Sequence, residues 1–144
     1  MKEETMNILK ALSRRFPSLQ PLEESIAVAA ALMRDCFLSG GTLYLCGNGG
    51  SAADCEHIAG ELLKSFKLSR PLPGKFREAL LSMGEDGRRV AEKTEGGLPV
   101  VSLCGHPAFT TAYANDKDAA FVYAQQICAL GTVSYTHLRA HETE

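Results

Sequence analysis

A strand, a glycine-rich turn and a helix follow one another in residues 42–66, and this order constrains the fold more than any other feature of the chain. An apolar run over residues 42–46 predicts a strand, and the turn Gly-Asn-Gly-Gly-Ser occupies residues 47–51. An alanine-rich helical pattern then opens at Ala52, with Ser51 as the predicted N-cap. Glycines let the backbone approach a ligand closely, and the unpaired N–H groups and dipole of a helix's first turn favour negative charge. The pattern therefore predicts a phosphate site.

The spacing of the glycines separates this turn from two well-known phosphate loops. It has neither the Gly-x-Gly-x-x-Gly spacing of dinucleotide-binding domains nor the Gly-Lys-Ser/Thr ending of nucleoside triphosphate loops. A glycine turn between a strand and a helix can also be no more than a tight corner. The turn alone leaves both interpretations open.

The polar face of the predicted helix adds a second candidate site. His57 and Glu61 are four residues apart and share one face, where Asp54 and Lys64 flank them. The predicted core-facing stripe consists of Cys55, Ile58, Ala59, Leu62 and Phe66. Such a polar face is usually just solvated, but this one begins one turn beyond a predicted phosphate loop. A histidine and a carboxylate at this spacing can bind a divalent metal, or divide acid and base work beside a bound sugar.

Together these residues resemble a known family. Residues 46–51 (Cys-Gly-Asn-Gly-Gly-Ser), followed by His57 and Glu61, are similar to the signature of sedoheptulose 7-phosphate isomerases. These enzymes are the phosphoheptose isomerases of the sugar isomerase (SIS) domain superfamily. The resemblance covers residues 1–131 and is closest over residues 40–66 and 98–128.

The resemblance implies a set of site residues and partners. Substrate-binding residues would be Asn48, Gly49, Gly50 and Ser51 for the phosphate, with Asn115 and Asp116 for the sugar chain. Zinc would be bound by His57 and Glu61, and Glu61 would also be the catalytic base. The resemblance further implies a sugar phosphate as ligand and a homo-oligomer, commonly a tetramer, in which neighbouring subunits complete the site.

The implied reaction interconverts a ketose phosphate and an aldose phosphate, namely sedoheptulose 7-phosphate and a heptose 7-phosphate, through an enediol(ate). A carboxylate removes a proton beside the carbonyl, and zinc would polarise that carbonyl or stabilise the enediolate. An alternative is a non-catalytic SIS-domain protein that binds a sugar phosphate or a replication-initiation partner and works by assembly. His57 and Glu61 count against that alternative, because a pure binding module needs neither. A sugar-phosphate-sensing regulator is disfavoured because no DNA-binding helix-turn-helix precedes the domain.

Composition is typical of one cytoplasmic domain. The chain has 144 residues and a net charge of −2, so we expect no nucleic-acid or membrane partner. Its five cysteines include no Cys-x-x-Cys pair, and we expect buried, reduced thiols at Cys46, Cys55 and Cys104. No apolar run approaches the length of a membrane span, and the first residues do not begin a secretory signal.

Strands alternating with helices predict an α/β fold with a parallel sheet flanked by helices on both faces. The predicted helices cover residues 3–15, 22–38, 76–81, 88–93, 109–113 and 119–130, with a second strand over 99–104 and a turn at Asn115 and Asp116. The resemblance implies that this sheet belongs to a SIS-type, flavodoxin-like three-layer sandwich. Both strands should bring their carboxyl ends, and hence the ligand site, to the same edge. Residues 67–98 are interpreted as a connection or lid over the site.

The C-terminal residues 132–144 (TVSYTHLRAHETE) show no continuity with the preceding pattern, and we interpret them as a non-native tail. Residues 1–131 would then form a partial SIS domain with N-terminal helices, incomplete at its C-terminus. Family members continue with a strand, a second Ser/Thr-rich phosphate loop and a helix that supplies a Gln and a His. His137 and His141 do not occupy those positions. We therefore expect little turnover by this chain itself.

Overall fold

The computed structural model describes residues 3–131. The predicted tail at residues 132–144, with its two histidines, lies outside the described residues. The chain divides into two compact units, Met1–Leu43 and Tyr44–Glu144.

The first unit consists of helices. Its elements are α1 (Glu3–Arg15), a 3₁₀ helix (Pro17–Leu22) and α2 (Glu23–Leu38). Leu9 and Ser13 are the buried residues of α1, and the Ser13 hydroxyl donates to the Leu9 carbonyl over 3.3 Å. Helix α2 ends where Gly40 adopts a φ of +78° and the Gly41 N–H donates to the Cys36 carbonyl over 2.8 Å. Both predicted helices are confirmed, with α2 beginning one residue later than expected.

The second unit contains the predicted strands and the remaining helices. The strand β1 (Leu43–Leu45) begins at the last residue of the first unit. The elements that follow in chain order are α3 (Gly50–Leu63), α4 (Gly74–Ser82), α5 (Glu85–Lys93), β2 (Val100–Ser102), a 3₁₀ helix (Leu103–Gly105), α6 (Pro107–Asp116), a 3₁₀ helix (Ala119–Phe121) and α7 (Val122–Leu130). Strands β1 and β2 pair as a small parallel sheet, which confirms the predicted α/β class. No helix within residues 3–131 is long and apolar enough to cross a bilayer.

The core of this unit lies between α3, β2 and α7. It consists of Cys55, Ala59, Val100, Leu103 and Val122, and Leu103 is completely buried. The prediction that the apolar stripe faces the core is wrong at two positions, because Ile58 and Phe66 are 43% and 76% exposed. Phe66 follows the end of α3 at Leu63, and in the described residues the sheet has only two short strands for α3 to cover.

The segment between α3 and β2 is fastened to the end of α3 by one guanidinium group. Arg70 Nε donates to the Gly96 carbonyl over 3.0 Å, and Nη2 donates to the Leu62 carbonyl over 2.8 Å. The carbonyls of Glu61 and Lys64 also accept from Nη2. A cation at this position satisfies carbonyls that the last turn of a helix leaves unpaired and complements the negative end of its dipole.

A second contact joins the same two chain segments. The Ser65 N–H donates to Glu95 Oε1 over 2.7 Å. Hydrogen bonding by the Ser65 side chain and, second to it, by this N–H holds the pKa of the Glu95 carboxyl below its ordinary value. The Leu98 N–H donates to the Leu62 carbonyl over 2.9 Å. The chain therefore returns to the end of α3 before it enters β2.

We expect Arg70→Ala to lower the free energy of unfolding by about 2 kcal/mol, because it leaves partly buried helix-end carbonyls without their charged donor. Arg70→Lys should recover only part of the loss, since the single nitrogen of an ammonium group cannot replace both Nε at the Gly96 carbonyl and Nη2 at the end of α3. The control is Arg77→Ala on the exposed surface of α4, which should change stability by no more than about 0.5 kcal/mol. Urea unfolding measures all three variants, and equal effects of Arg70→Ala and Arg77→Ala would contradict this assignment.

Candidate functional site

The glycine turn lies between the end of β1 and the start of α3, and the structure explains why two of its positions are occupied by glycine. A Cβ added to Gly47 would lie 2.8 Å from the Ser51 carbonyl carbon, so the first turn of α3 leaves no room for a side chain there. Gly49 adopts a φ of +56°, which is strained for other residues, and it caps α3. The prediction that Ser51 is the N-cap is therefore wrong. The backbone reverses at Gly49, and Ser51 lies within the first turn of α3.

The turn presents backbone donors to solvent. The Ser51 and Ala52 N–H groups donate to the carbonyls of Asn48 and Gly49, over 3.1 and 3.2 Å. Within residues 3–131, no hydrogen-bond acceptor is found for the N–H groups of Gly49 and Gly50. Asn48, Gly49, Gly50 and Ser51 are all exposed. Two free N–H groups at the positive end of a helix dipole can bind an anion.

The inner side of the turn is held by two side chains from other elements. The Tyr123 hydroxyl, on α7, donates to the Gly47 carbonyl over 2.6 Å and lies 3.2 Å from Asn48 Oδ1. The Cys104 thiol, just after β2, donates to the same carbonyl over 3.3 Å. The contact from Cys104 agrees with the expectation that both strand ends meet at one edge. Tyr123 was missed by sequence reasoning, because a tyrosine on a helix carries no local sign of a hydrogen bond to a turn 76 residues away.

Burial controls the protonation of groups beneath the turn. Burial and, second to it, the hydrogen bond with Cys104 raise the pKa of the Tyr123 hydroxyl. Burial, followed by the proximity of Cys104, likewise raises the pKa of the Cys55 thiol. Both groups are therefore neutral near pH 7, and Cys55 is a packing thiol rather than a thiolate nucleophile. Of the three thiols expected to be buried, only Cys55 is fully so, since Cys104 is partly exposed and Cys46 exposed.

The polar face of α3 brings His57 and Glu61 together. His57 Nε2 lies 3.4 Å from Glu61 Oε1, and the two side chains are 76% and 35% exposed. The backbone carbonyl of Glu61 accepts from Arg70, so the helix end that carries this carboxylate is fixed. An accessible carboxylate beside an imidazole can exchange protons with a bound sugar.

The donor set for the predicted zinc ion is small. Structural and catalytic zinc sites use three or four protein ligands, whereas His57 and Glu61 supply two. Among the described residues, no group of three or more His, Cys, Asp or Glu side chains is placed to hold a metal. The residues that the structure describes therefore do not by themselves fit a zinc site.

Asn115 and Asp116 do not form the predicted turn. They are the last two residues of α6, which runs past the predicted end, because the helix is closed by Lys117 donating its N–H to the Tyr113 carbonyl over 2.9 Å. Asn115 Nδ2 donates to Asp116 Oδ1 over 3.0 Å, and both side chains are exposed. Within residues 3–131, no hydrogen bond or ion pair joins either side chain to the glycine turn. Their role in substrate binding stays a prediction.

Sequence comparison identifies the family of this fold. Residues 7–96 match the sequence model of the SIS domain. The chain belongs to the SIS domain family. This finding confirms the resemblance drawn from the glycine turn and the polar face of α3.

Relatives of this SIS-domain chain are similar over most of its length. The phosphoheptose isomerases of Shewanella piezotolerans and Shewanella halifaxensis are each 32% identical over 122 residues, covering 85% of this chain and 49% of the relative. The solved phosphoheptose isomerase structure from Neisseria gonorrhoeae superposes with a TM-score of 0.56 at 26% identity, covering 88% of this chain and 52% of that chain. The SIS-domain chain thus spans about half the length of the curated relatives it matches.

Two glycine substitutions in the turn should have opposite outcomes. We expect Gly47→Ala to lower the free energy of unfolding by about 1–3 kcal/mol, because its Cβ would meet the backbone of Ser51. Gly50→Ala should leave stability unchanged or raise it by up to about 1 kcal/mol, because its Cβ would meet nothing within 4 Å and the helix gains a better former. Chemical denaturation compares the two, and a tolerated Gly47→Ala would show that the close approach does not exist.

Proposed function

We propose that this SIS-domain chain serves an aldose–ketose isomerase that acts on a phosphorylated sugar of the phosphoheptose class. The observation that carries the proposal is the pair of free N–H groups at Gly49 and Gly50, at the start of the helix that also carries His57 and Glu61. Phosphoheptose isomerases among the relatives support the same reaction class. Sedoheptulose 7-phosphate is the proposed ketose.

In this proposal the turn binds the phosphate and α3 carries the base. The N–H groups of Gly49 and Gly50 would donate to phosphate oxygens, and the Ser51 hydroxyl and Asn48 amide would add side-chain donors. Glu61 would remove the proton from the carbon beside the carbonyl, giving the enediol(ate), and return it to the neighbouring carbon, while the hydroxyl proton moves from one of the two oxygens to the other. His57, 3.4 Å from Glu61, would orient that carboxylate. Asn115 and Asp116 are proposed contacts of the sugar chain.

The separation of turn and base favours a long substrate. Gly50 and Glu61 are eleven residues apart on α3, which is about 16 Å along the helix axis. Helical side chains lean toward the N-terminus, so the Glu61 carboxylate reaches back toward the turn. A sugar whose phosphate and carbonyl lie at opposite ends of a seven-carbon chain suits this separation better than a three-carbon sugar phosphate does.

Three further features of the proposal await their own tests. We propose that His57 and Glu61 supply two ligands of a zinc ion, and metal analysis of the purified protein tests this. Free thiols at all five cysteines support a cytoplasmic location. Exposed apolar side chains on α2, including Leu32 at 65% and Leu38 at 79%, support a homo-oligomer such as a tetramer. Sedimentation showing only monomer would contradict that assembly.

The role of Glu61 as the base is tested by measuring the exchange of solvent deuterium into the substrate. A chimera would join residues 1–131 to the second half of the Shewanella piezotolerans relative, and sedoheptulose 7-phosphate in D₂O would be followed by NMR. Glu61→Gln should slow exchange of the carbon-bound proton by about 10²–10⁴-fold, because an amide cannot accept that proton. Ser51→Ala should instead raise the substrate concentration needed for half-maximal exchange.

The matched control is Glu56→Gln, an exposed glutamate five residues earlier on α3, and this variant should exchange the substrate proton at the rate of the unmodified chimera. Normal exchange by Glu61→Gln would place Glu61 on an ordinary solvated face and would contradict the proposed mechanism. An unmodified chimera that binds phosphate but exchanges no proton would favour the non-catalytic binding protein.

A further inference from the structure

Two side chains from other elements hold the glycine turn in shape by donating to the same backbone carbonyl of the turn. Gly47 offers one carbonyl oxygen, which accepts from the Tyr123 hydroxyl over 2.6 Å and from the Cys104 thiol over 3.3 Å. A carbonyl oxygen has two lone pairs, so both donors can be accommodated. The Tyr123 oxygen and the Cys104 sulfur also lie 3.9 Å apart, which places the two donors in one cluster.

The single hydroxyl proton of Tyr123 is shared between the Gly47 carbonyl and Asn48 Oδ1, so Tyr123 also influences how Asn48 presents its side chain. The phenol oxygen lies 3.2 Å from Asn48 Oδ1, so the carboxamide oxygen faces Tyr123. The amide nitrogen of Asn48 consequently points away from Tyr123, and no acceptor for it is found within residues 3–131. A phenol carries one proton, which serves as a donor only while the group is neutral, and the raised pKa of Tyr123 keeps it neutral near pH 7.

Tyr123 is itself fixed, because α7 is attached at several points along its length. Its first residue, Val122, is buried. One turn later, Gln126 Nε2 donates to the Leu103 carbonyl over 3.0 Å. At the far end, the Tyr44 hydroxyl donates to the Leu130 carbonyl over 2.9 Å. A side chain on an element held in this way can impose a geometry on a turn that has few contacts of its own.

We propose that Tyr123, assisted by Cys104, is the positioning residue of the anion site. It fixes the Gly47 carbonyl and the Asn48 carboxamide inward, so that the N–H groups of Gly49 and Gly50 and the amide of Asn48 face the ligand's phosphate. This inference rests on the proposed function, since it concerns the same turn. In this inference α7, and not the turn's own residues, pre-organises the turn for its ligand.

The test is the binding of inorganic phosphate to the chain, measured by isothermal titration calorimetry. Tyr123→Phe keeps the ring and removes the hydroxyl, and it should weaken phosphate binding about 5-fold, the effect expected for one lost hydrogen bond. Cys104→Ala should weaken it about 2-fold, and Cys104→Ser, which keeps a donor, should not. The control is Tyr113→Phe, whose ring stacks on Phe109 in α6, and its affinity should match that of the unmodified chain.

A double-mutant cycle separates positioning from a general structural role. Asn48→Ala removes the carboxamide through which Tyr123 acts in part, so adding Tyr123→Phe to it should weaken phosphate binding less than about 2-fold further. Unfolding midpoints of all variants would be measured at the same time. A loss of midpoint with unchanged affinity at temperatures where the variant is folded would overturn the inference. If Tyr123→Phe does not fold, the two Cys104 variants test the same anchorage, and equal affinities for Cys104→Ala and Cys104→Ser would overturn it.

The outcome also distinguishes this inference from the proposed function. If the unmodified chain binds phosphate and Tyr123→Phe binds it equally well, the anion site stands and the role of Tyr123 is overturned. If the unmodified chain binds no phosphate, the proposed site is wrong and the inference falls with it.

Discussion

The carbonyl oxygen of Gly47 is the point on which the candidate site depends. Donors from two elements that are distant in sequence, α7 and the end of β2, meet at this oxygen. Because the donors come from packed elements, the turn needs no side-chain cap of its own, and its remaining residues can stay exposed. A turn that leaves backbone N–H groups unpaired is unfavourable unless solvent or a ligand satisfies them. The anchorage and the free donors together are what make the turn suited to an anion.

Helix α3 connects this site to the rest of its unit. Its first turn lies against Gly47, its middle buries Cys55 and Ala59, and its last turn is closed by Arg70. The same helix carries His57 and Glu61 on its solvent side. Fixing both ends of one helix therefore fixes the distance between the predicted phosphate site and the predicted base, and in the proposed function this distance would select the length of the substrate.

Local patterns predicted much of this architecture. The helices were predicted because apolar periodicity and glycine or proline breaks are local signals, and the order strand, turn, helix was predicted for the same reason. The pairing of β1 with β2 followed from the rule that alternating strands and helices form parallel sheets. The cap of α3 was predicted wrongly at Ser51, because the positive φ of Gly49 moves the helix start and the sequence does not show which of the three glycines in the turn adopts that angle. Asn115 and Asp116 suggested a turn by their composition, but the helix continued through them. Tyr123 could not be found from sequence, since its hydrogen bond depends on how α7 packs.

The central claim is that an anion binds at the N–H groups of Gly49 and Gly50. A crystal structure of the chain with bound sedoheptulose 7-phosphate, or with phosphate alone, tests it most directly. The account predicts phosphate oxygens within about 3 Å of both amide nitrogens, with Tyr123 still donating to the Gly47 carbonyl. Phosphate bound elsewhere, with the turn closed by its own side chains, would contradict it.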